Sequence, residues 1–142
     1  MNFSDLYSQK ILEIAGAARQ MPRLESPDGT ARKVSRICGS AIEVDLVLDD
    51  GKVTAYGADV SACALGQTSA AIVASHIIGA TPEELRTLRE TMTAMLKADG
   101  PPPTGRWDDL KYLEPVRGYP ARQASTLLVF EAVVGALEQA GA

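Results

Sequence analysis

Cysteine is scarce in this chain, with two among 142 residues. That excludes a disulfide framework and makes a reducing cytoplasm the expected setting. Basic charge is also in short supply: 14 Lys and Arg stand against 18 Asp and Glu, for a net charge of −4. No basic stripe exists for nucleic acid, so none is expected as a partner. A single histidine, placed in an apolar stretch, supports no confident Ser-His-Asp arrangement, and no Gly-rich loop opens a helix at phosphate-binding spacing. Long apolar runs are missing too, each being interrupted by Gly, Ser, Gln or His, and no membrane association is expected. Met1-Asn2-Phe3-Ser4-Asp5 lacks the basic start and apolar run of a secretory leader. What is present is ordinary for a globular protein: 46% apolar and 23% charged residues, enough chain for one core. One domain over 1–142 is the expectation.

The periodicities predict an α+β fold. Residues 4–20 read as an amphipathic helix with Leu6, Ile11, Leu12, Ile14 and Ala15 broadly on one face. Ser26-Pro27-Asp28-Gly29 is turn chemistry, after which the chain extends from Ala31 toward Cys38. Ile42, Val44, Leu46 and Leu48 alternate with Glu43, Asp45 and Asp49, the pattern of a strand with one buried face. Asp49-Asp50-Gly51 turns the chain into a returning strand, Lys52 to Val60. Helices follow: Ala64 to Ile78 with Gly79 as its stop, one opened by Thr81-Pro82-Glu83-Glu84 as a capping box, and a last one running to about Leu137. Trp107, Leu110, Tyr112 and Leu113 suggest a short helical turn docked on the core.

Both cysteines occupy junctions. Cys38 precedes the outgoing strand, and Cys63 follows the returning one at the entrance to a helix. A thiol there meets the positive end of the helix dipole and unpaired backbone N–H groups, surroundings that stabilise a thiolate. The hairpin brings the two positions to one edge, and two thiolates would make half of a tetrahedral zinc or iron–sulfur site. The bland alternative is a pair of buried small hydrophobes. His76 lies about 20 Å along the helix from Cys63, by the standard rise, and reads as a packing or surface residue. Arg122 reads as a solvated charge or as a partner for an anionic sulfur. Glu83, Glu84, Arg86, Arg89 and Glu90 read as an exposed charged face.

Three segments carry a resemblance. Cys38-Gly39 before the alternating strand resembles the first metal-site motif of NifU/IscU-type iron–sulfur scaffold proteins. Cys63-Ala64-Leu65, with the Ser/Ala-rich helix after it, resembles the second. Tyr119-Pro120-Ala121-Arg122-Gln123-Ala124-Ser125-Thr126-Leu127 resembles the third, and the long stretch before it is similar to the SufU-like branch. Ser40 stands where the family has a metal-site Asp, and Ser125 where it has a third Cys. Serine hydroxyls are poor ligands for zinc or iron.

The resemblance implies a fold: an N-terminal helix, a small three-stranded antiparallel sheet, then helices on one face. It also implies a carrier rather than an enzyme, one that takes persulfide sulfur from a cysteine desulfurase. Such a carrier would hold iron, a transient iron–sulfur cluster or zinc, and pass cargo to recipient apo-proteins or carriers. Cys38 and Cys63 are the expected metal ligands, with Ser40 and Ser125 as candidate weak ligands and Ser125 counted with the cysteines in holding a cluster. On the bland reading Ser125 is a helix N-cap or first-turn hydroxyl, and Ser40 a turn hydroxyl. One alternative is a metal-free interaction or regulatory module of the same pathway with a degenerate ligand set. Another is a two-cysteine sulfur-transfer factor.

Overall fold

Alternation in the middle of the chain becomes an antiparallel hairpin with its expected buried face. The structure is a computed structural model describing residues 8–16, 21–36 and 39–142. Strands β1 (Gly29–Ser35), β2 (Ser40–Asp49) and β3 (Lys52–Ser61) lie in that order, each antiparallel to the next. Ile42, Val44 and Leu46 are fully buried, and Leu48 packs on the core's margin. Asp49 pairs with Lys52 across a two-residue turn whose Asp50 and Gly51 both have positive φ, 54° and 74°. That is the turn whose twist matches a hairpin, and it explains an Asp-Gly there.

The other face of β2 departs from the expected pattern. Asp45 is as buried as its apolar neighbours, because the segment from Met21 to Leu24 crosses over it. Met21 bridges Ala58 of β3, and Arg23 grips Asp45 through Nε to Oδ2 and through its terminal nitrogen to Oδ1 at 2.8 Å. Thr30 Oγ1 donates to Asp45 Oδ1 at 2.7 Å and the Leu24 amide to Oδ2 at 3.1 Å. With so many donors the carboxylate is fully met, as a buried charge must be. The Arg23 guanidinium, then the Thr30 hydroxyl and the Leu24 amide, hold the Asp45 carboxyl below its ordinary range against the opposing effect of burial. Gly57, opposite Asp45, makes room for the crossing: a β-carbon there would stand 2.4 Å from the Pro22 carbonyl oxygen.

Among the described residues, five helical segments follow or flank the sheet. Helix α1 (Gln9–Gly16) lies within the predicted 4–20, whose remaining residues fall outside the described ones. Ile11 is buried as expected, whereas Leu12 is 52% exposed, because 3.6-residue periodicity turns it away from the contact. Thr68 Oγ1 donates to the Ile11 carbonyl at 3.2 Å, tying α1 to helix α2 (Ala64–His76). Helix α3 (Pro82–Lys97) has Pro82 in its first turn and Thr81 as N-cap, its hydroxyl accepting from the Glu84 amide at 3.1 Å. Oε2 of Glu84 is used elsewhere than in the expected box: it accepts from Trp107 Nε1 at 2.8 Å and pairs with Arg106 at 3.2 Å. Trp107 belongs to a 3-10 helix over Gly105–Gly118, far longer than the predicted short turn. Pro115 inside it has no N–H to donate, so the segment could not wind as an uninterrupted α-helix. Its Trp107, Leu110, Leu113 and Val116 all enter the core.

Helix α4 (Pro120–Gln139) is the centre of the packing, lying along β1 and β2 and against α2 and α3. It has almost no hydrophobic asymmetry because it is covered on several sides, from Leu127 and Leu128 to Ala136 and Leu137. This layer of helices on one face of a three-stranded antiparallel sheet is the α+β arrangement the sequence predicts.

Candidate functional site

Three elements converge where β2 begins. Ser40 is the first residue of β2, Cys63 is the N-cap residue of α2, and Ser125 lies in the second turn of α4. Their side chains form a line: Ser40 Oγ to Ser125 Oγ is 3.2 Å, and Ser125 Oγ to Cys63 Sγ is 3.3 Å. Ser125 is fully enclosed and Ser40 is 3% exposed, while Cys63 is half-buried. The thiol is therefore the most accessible of the three groups.

Local chemistry explains each position. Ser61, the end of β3, pairs with Ala41, so the exit of the hairpin returns beside its entrance. Cys63 has extended backbone angles, φ −69° and ψ 175°, and its carbonyl accepts the first intrahelical bond, from Gln67 N at 2.8 Å. Its side chain makes no capping bond and is left to face Ser125. Gln67 Nε2 donates to the Ala62 carbonyl at 2.9 Å, fixing the approach to the helix. Gly66 is what lets α2 and α4 meet: a β-carbon there would stand 2.9 Å from Ser125 Oγ and 2.7 Å from the Ala62 β-carbon. Only glycine keeps the thiol within reach of the hydroxyl.

Of the predicted site residues, the structure thus brings together Cys63, Ser40 and Ser125, while Cys38 lies outside the described residues. Ser125 is not the N-cap of the last helix, which begins at Pro120; that proline, suited to a first helical position, is the sequence signal for it. Ser40 is a buried strand residue rather than a turn hydroxyl. Arg122, three residues before Ser125, forms no ion pair among the described residues. His76 packs edge-on against the Trp107 ring at 6.2 Å between centroids, a packing role. The charged face of α3 is partly tied down, with Arg86 donating to the Ala142 carbonyl and Arg89 pairing with Glu131 at 3.6 Å. Gly66 is the site residue that sequence reasoning missed; a lone glycine in a helical pattern signals close packing without naming its partner.

The donor set can be weighed against a tetrahedral metal. Zinc–sulfur and zinc–oxygen bonds of about 2.3 and 2.1 Å would set neighbouring ligands roughly 3.5 Å apart. The separations of 3.2 and 3.3 Å come near that span, but two of the three atoms are neutral hydroxyls. No group of three or more His, Cys, Asp or Glu that could hold a metal occurs among the described residues. A cleft of about 460 Å³ lined by Thr81, Thr87, Thr91 and Trp107 shares no residue with this site.

No family model matches the chain. The fold is, however, that of a NifU-like protein (N-terminal) from Brucella abortus. That crystal structure superposes with a TM-score of 0.95 at 47% identity, covering 98% of this chain and 96% of the other. The chain belongs to the NifU/IscU-type family. A curated relative, the iron–sulfur cluster assembly scaffold protein IscU of Thermotoga maritima, is 25% identical over 139 residues, 98% of this chain and 97% of that protein. The fold alone is shared with a Fervidobacterium islandicum protein described as a scaffold of the SUF system. Its TM-score is 0.84 at 19% identity, covering 96% of this chain and 99% of the other. Among the described residues, no helix is long and apolar enough to cross a membrane.

Proposed function

We propose that the chain, acting as one unit over 1–142, is a carrier protein of iron–sulfur cluster assembly. It takes persulfide sulfur from a cysteine desulfurase and holds iron, a nascent cluster or zinc before passing cargo to recipient proteins. The observation that carries this reading is the half-buried Cys63 thiol, seated at the entrance of α2 against the buried Ser125 hydroxyl with Ser40 behind it, in a fold shared with a NifU-like protein and a sequence related to an IscU scaffold. Cys38, two residues before Ser40 in the chain, is the second thiol of the reading. The chemistry is carriage rather than turnover. Thiolates supply the strong bonds, and the two serines supply a polar wall that binds metal weakly.

Protein purified without oxygen tests this reading by its iron and zinc content, and by its visible spectrum after incubation with ferrous iron, cysteine and a desulfurase. Stoichiometric metal or a cluster absorption that vanishes in Cys63→Ser is expected. Absence of both, with desulfurase binding intact, would overturn the scaffold reading.

A second reading is favoured by one observation: the Ser40 and Ser125 hydroxyls already lie at hydrogen-bond distance from each other. On it the chain is a metal-free interaction or regulatory module of the same pathway, and intact desulfurase binding without metal is its expected result.

A further inference from the structure

We propose that the outer edge of β1 docks an extended acidic segment of a partner protein, which joins the sheet as an added strand. The chain itself closes the opposite edge of the sheet. Along β3 the Ala58 amide donates to the Met21 carbonyl at 3.2 Å, and further down Val53 donates to the Ala80 carbonyl at 2.9 Å and accepts from the Gly79 amide at 2.8 Å. The register fixes where the backbone of β1 points. Ala58 bonds outward to Met21, so Val44 opposite it turns from β3 and exchanges its backbone bonds with Ala31. Arg32 and Val34, alternating with Ala31 and Lys33, therefore aim their N–H and C=O groups off the sheet. Thr30 shows the same direction, its amide donating to Gln139 Oε1 at 2.6 Å. Past that cap, nothing among the described residues pairs with the outward backbone of Arg32 or Val34.

The side chains select the occupant. Arg32, Lys33, Val34 and Arg36 are all exposed, Val34 by 49%, and the three cations form no ion pair among the described residues. Glu43, which stands opposite Arg32 on β2, is bonded to Arg23 at 2.8 Å instead. An edge of one charge sign resists a second copy of itself, since two such strands side by side bring cation against cation. It fits a strand with carboxylates opposite Arg32, Lys33 and Arg36 and an apolar side chain opposite Val34. The outward N–H and C=O groups supply affinity for any extended chain, and the cations choose among chains. Because β1 ends at Ser35, opposite Ser40, the added segment lies along the end of the sheet that carries the candidate site. Neither metal nor sulfur enters this docking, so its failure leaves the carrier reading untouched.

NMR titration of the full chain tests the docking. The probe is an end-blocked synthetic peptide of alternating Thr and Val that carries Glu at the positions opposing Arg32, Lys33 and Arg36. In the protein alone, the Arg32 and Val34 amides should exchange with solvent at least about tenfold faster than those of Ala31 and Lys33, which are bonded within the ladder. Equal rates would mean that no outward groups are open, and would overturn the docking. The peptide should slow exchange at both outward amides and shift their signals saturably. Val34→Pro deletes an outward N–H and no ladder bond, a change that an edge strand accepts, and should weaken binding about tenfold or more. Where that variant fails to fold, Arg32→Glu combined with Lys33→Glu serves: the Glu peptide should lose about tenfold or more in affinity, and a Lys counterpart should gain as much. Equal affinity of the Glu and Lys peptides for the wild type overturns the acidic occupant. Binding that leaves the Arg32 and Val34 amides unprotected, or that these variants do not weaken, overturns strand addition at this edge. Protection of the same amides by raised protein concentration alone overturns it too, assigning the edge to a second copy.

Discussion

Gly66 and Ser125 touch across the α2–α4 interface so closely that any β-carbon at 66 would press on the Ser125 hydroxyl, 2.9 Å away. The candidate site therefore depends on a residue with no side chain. Gly66→Ala is expected to push the two helices apart, at a cost of about 1–3 kcal/mol typical of overpacking. Urea denaturation reads the loss. Alkylation of Cys63 should accelerate in the same variant as the thiol loses its cover, and an unchanged rate together with unchanged stability would show that the interface gives way freely.

Ser125→Cys should strengthen metal binding, since it replaces a neutral hydroxyl with a thiolate donor 3.3 Å from Cys63 Sγ. Zinc affinity measured by competition with a chelating dye is expected to rise by about tenfold or more, given zinc's preference for thiolate over hydroxyl ligands. An affinity equal to wild type would place position 125 outside any metal site.

Asp45→Asn removes the charge that Arg23, Thr30 and Leu24 surround. The guanidinium is 43% exposed, so the expected loss at neutral pH is about 2 kcal/mol, below that of a fully buried pair. The pH dependence has a definite sign. The folded carboxyl is held below its ordinary value, so its stabilisation is complete above the unfolded value of about 3.9 and is lost as pH falls through the lower folded value. Denaturation curves of wild type and variant should therefore converge in strong acid. A constant gap across that range would locate the stabilisation in packing instead.

Tyr56 offers the opposite test. Its hydroxyl is buried and meets no hydrogen-bond partner among the described residues. Burial, with the nearby Asp45 charge adding to it, pushes its ionisation above the ordinary tyrosine value. Tyr56→Phe should leave stability unchanged or raise it by up to about 1 kcal/mol, because an unsatisfied buried polar group is removed. A loss above that figure in thermal or urea unfolding would reveal a partner for the hydroxyl.

The hairpin, the start of α3 and the entrance of α2 at Cys63 are all legible in the sequence, because alternation, Asp-Gly turns and Thr-Pro caps act locally. The burial of Asp45 is not. Strand alternation assigns a residue to a face, but the cover on that face comes from Met21–Leu24, a segment with no periodicity to announce it. Glu84 illustrates a similar limit: its spacing from Thr81 fits a capping box, yet Trp107, 23 residues on, takes one carboxylate oxygen. In the site, family resemblance marks Ser40 and Ser125, but only the docking of α4 reveals that their hydroxyls meet.

That docking also sets an order in time. Ser40, Cys63 and Ser125 leave the ribosome in sequence, and 62 residues separate the thiol from the hydroxyl beside it. Synthesis proceeds at about 5–20 residues per second, so several seconds pass between the making of Cys63 and that of Ser125. Throughout that interval the Cys63 sulfur lacks its Ser125 neighbour. The site is thus finished only when the core is closed, and the contact between Cys63 and Ser125 marks a completely folded chain.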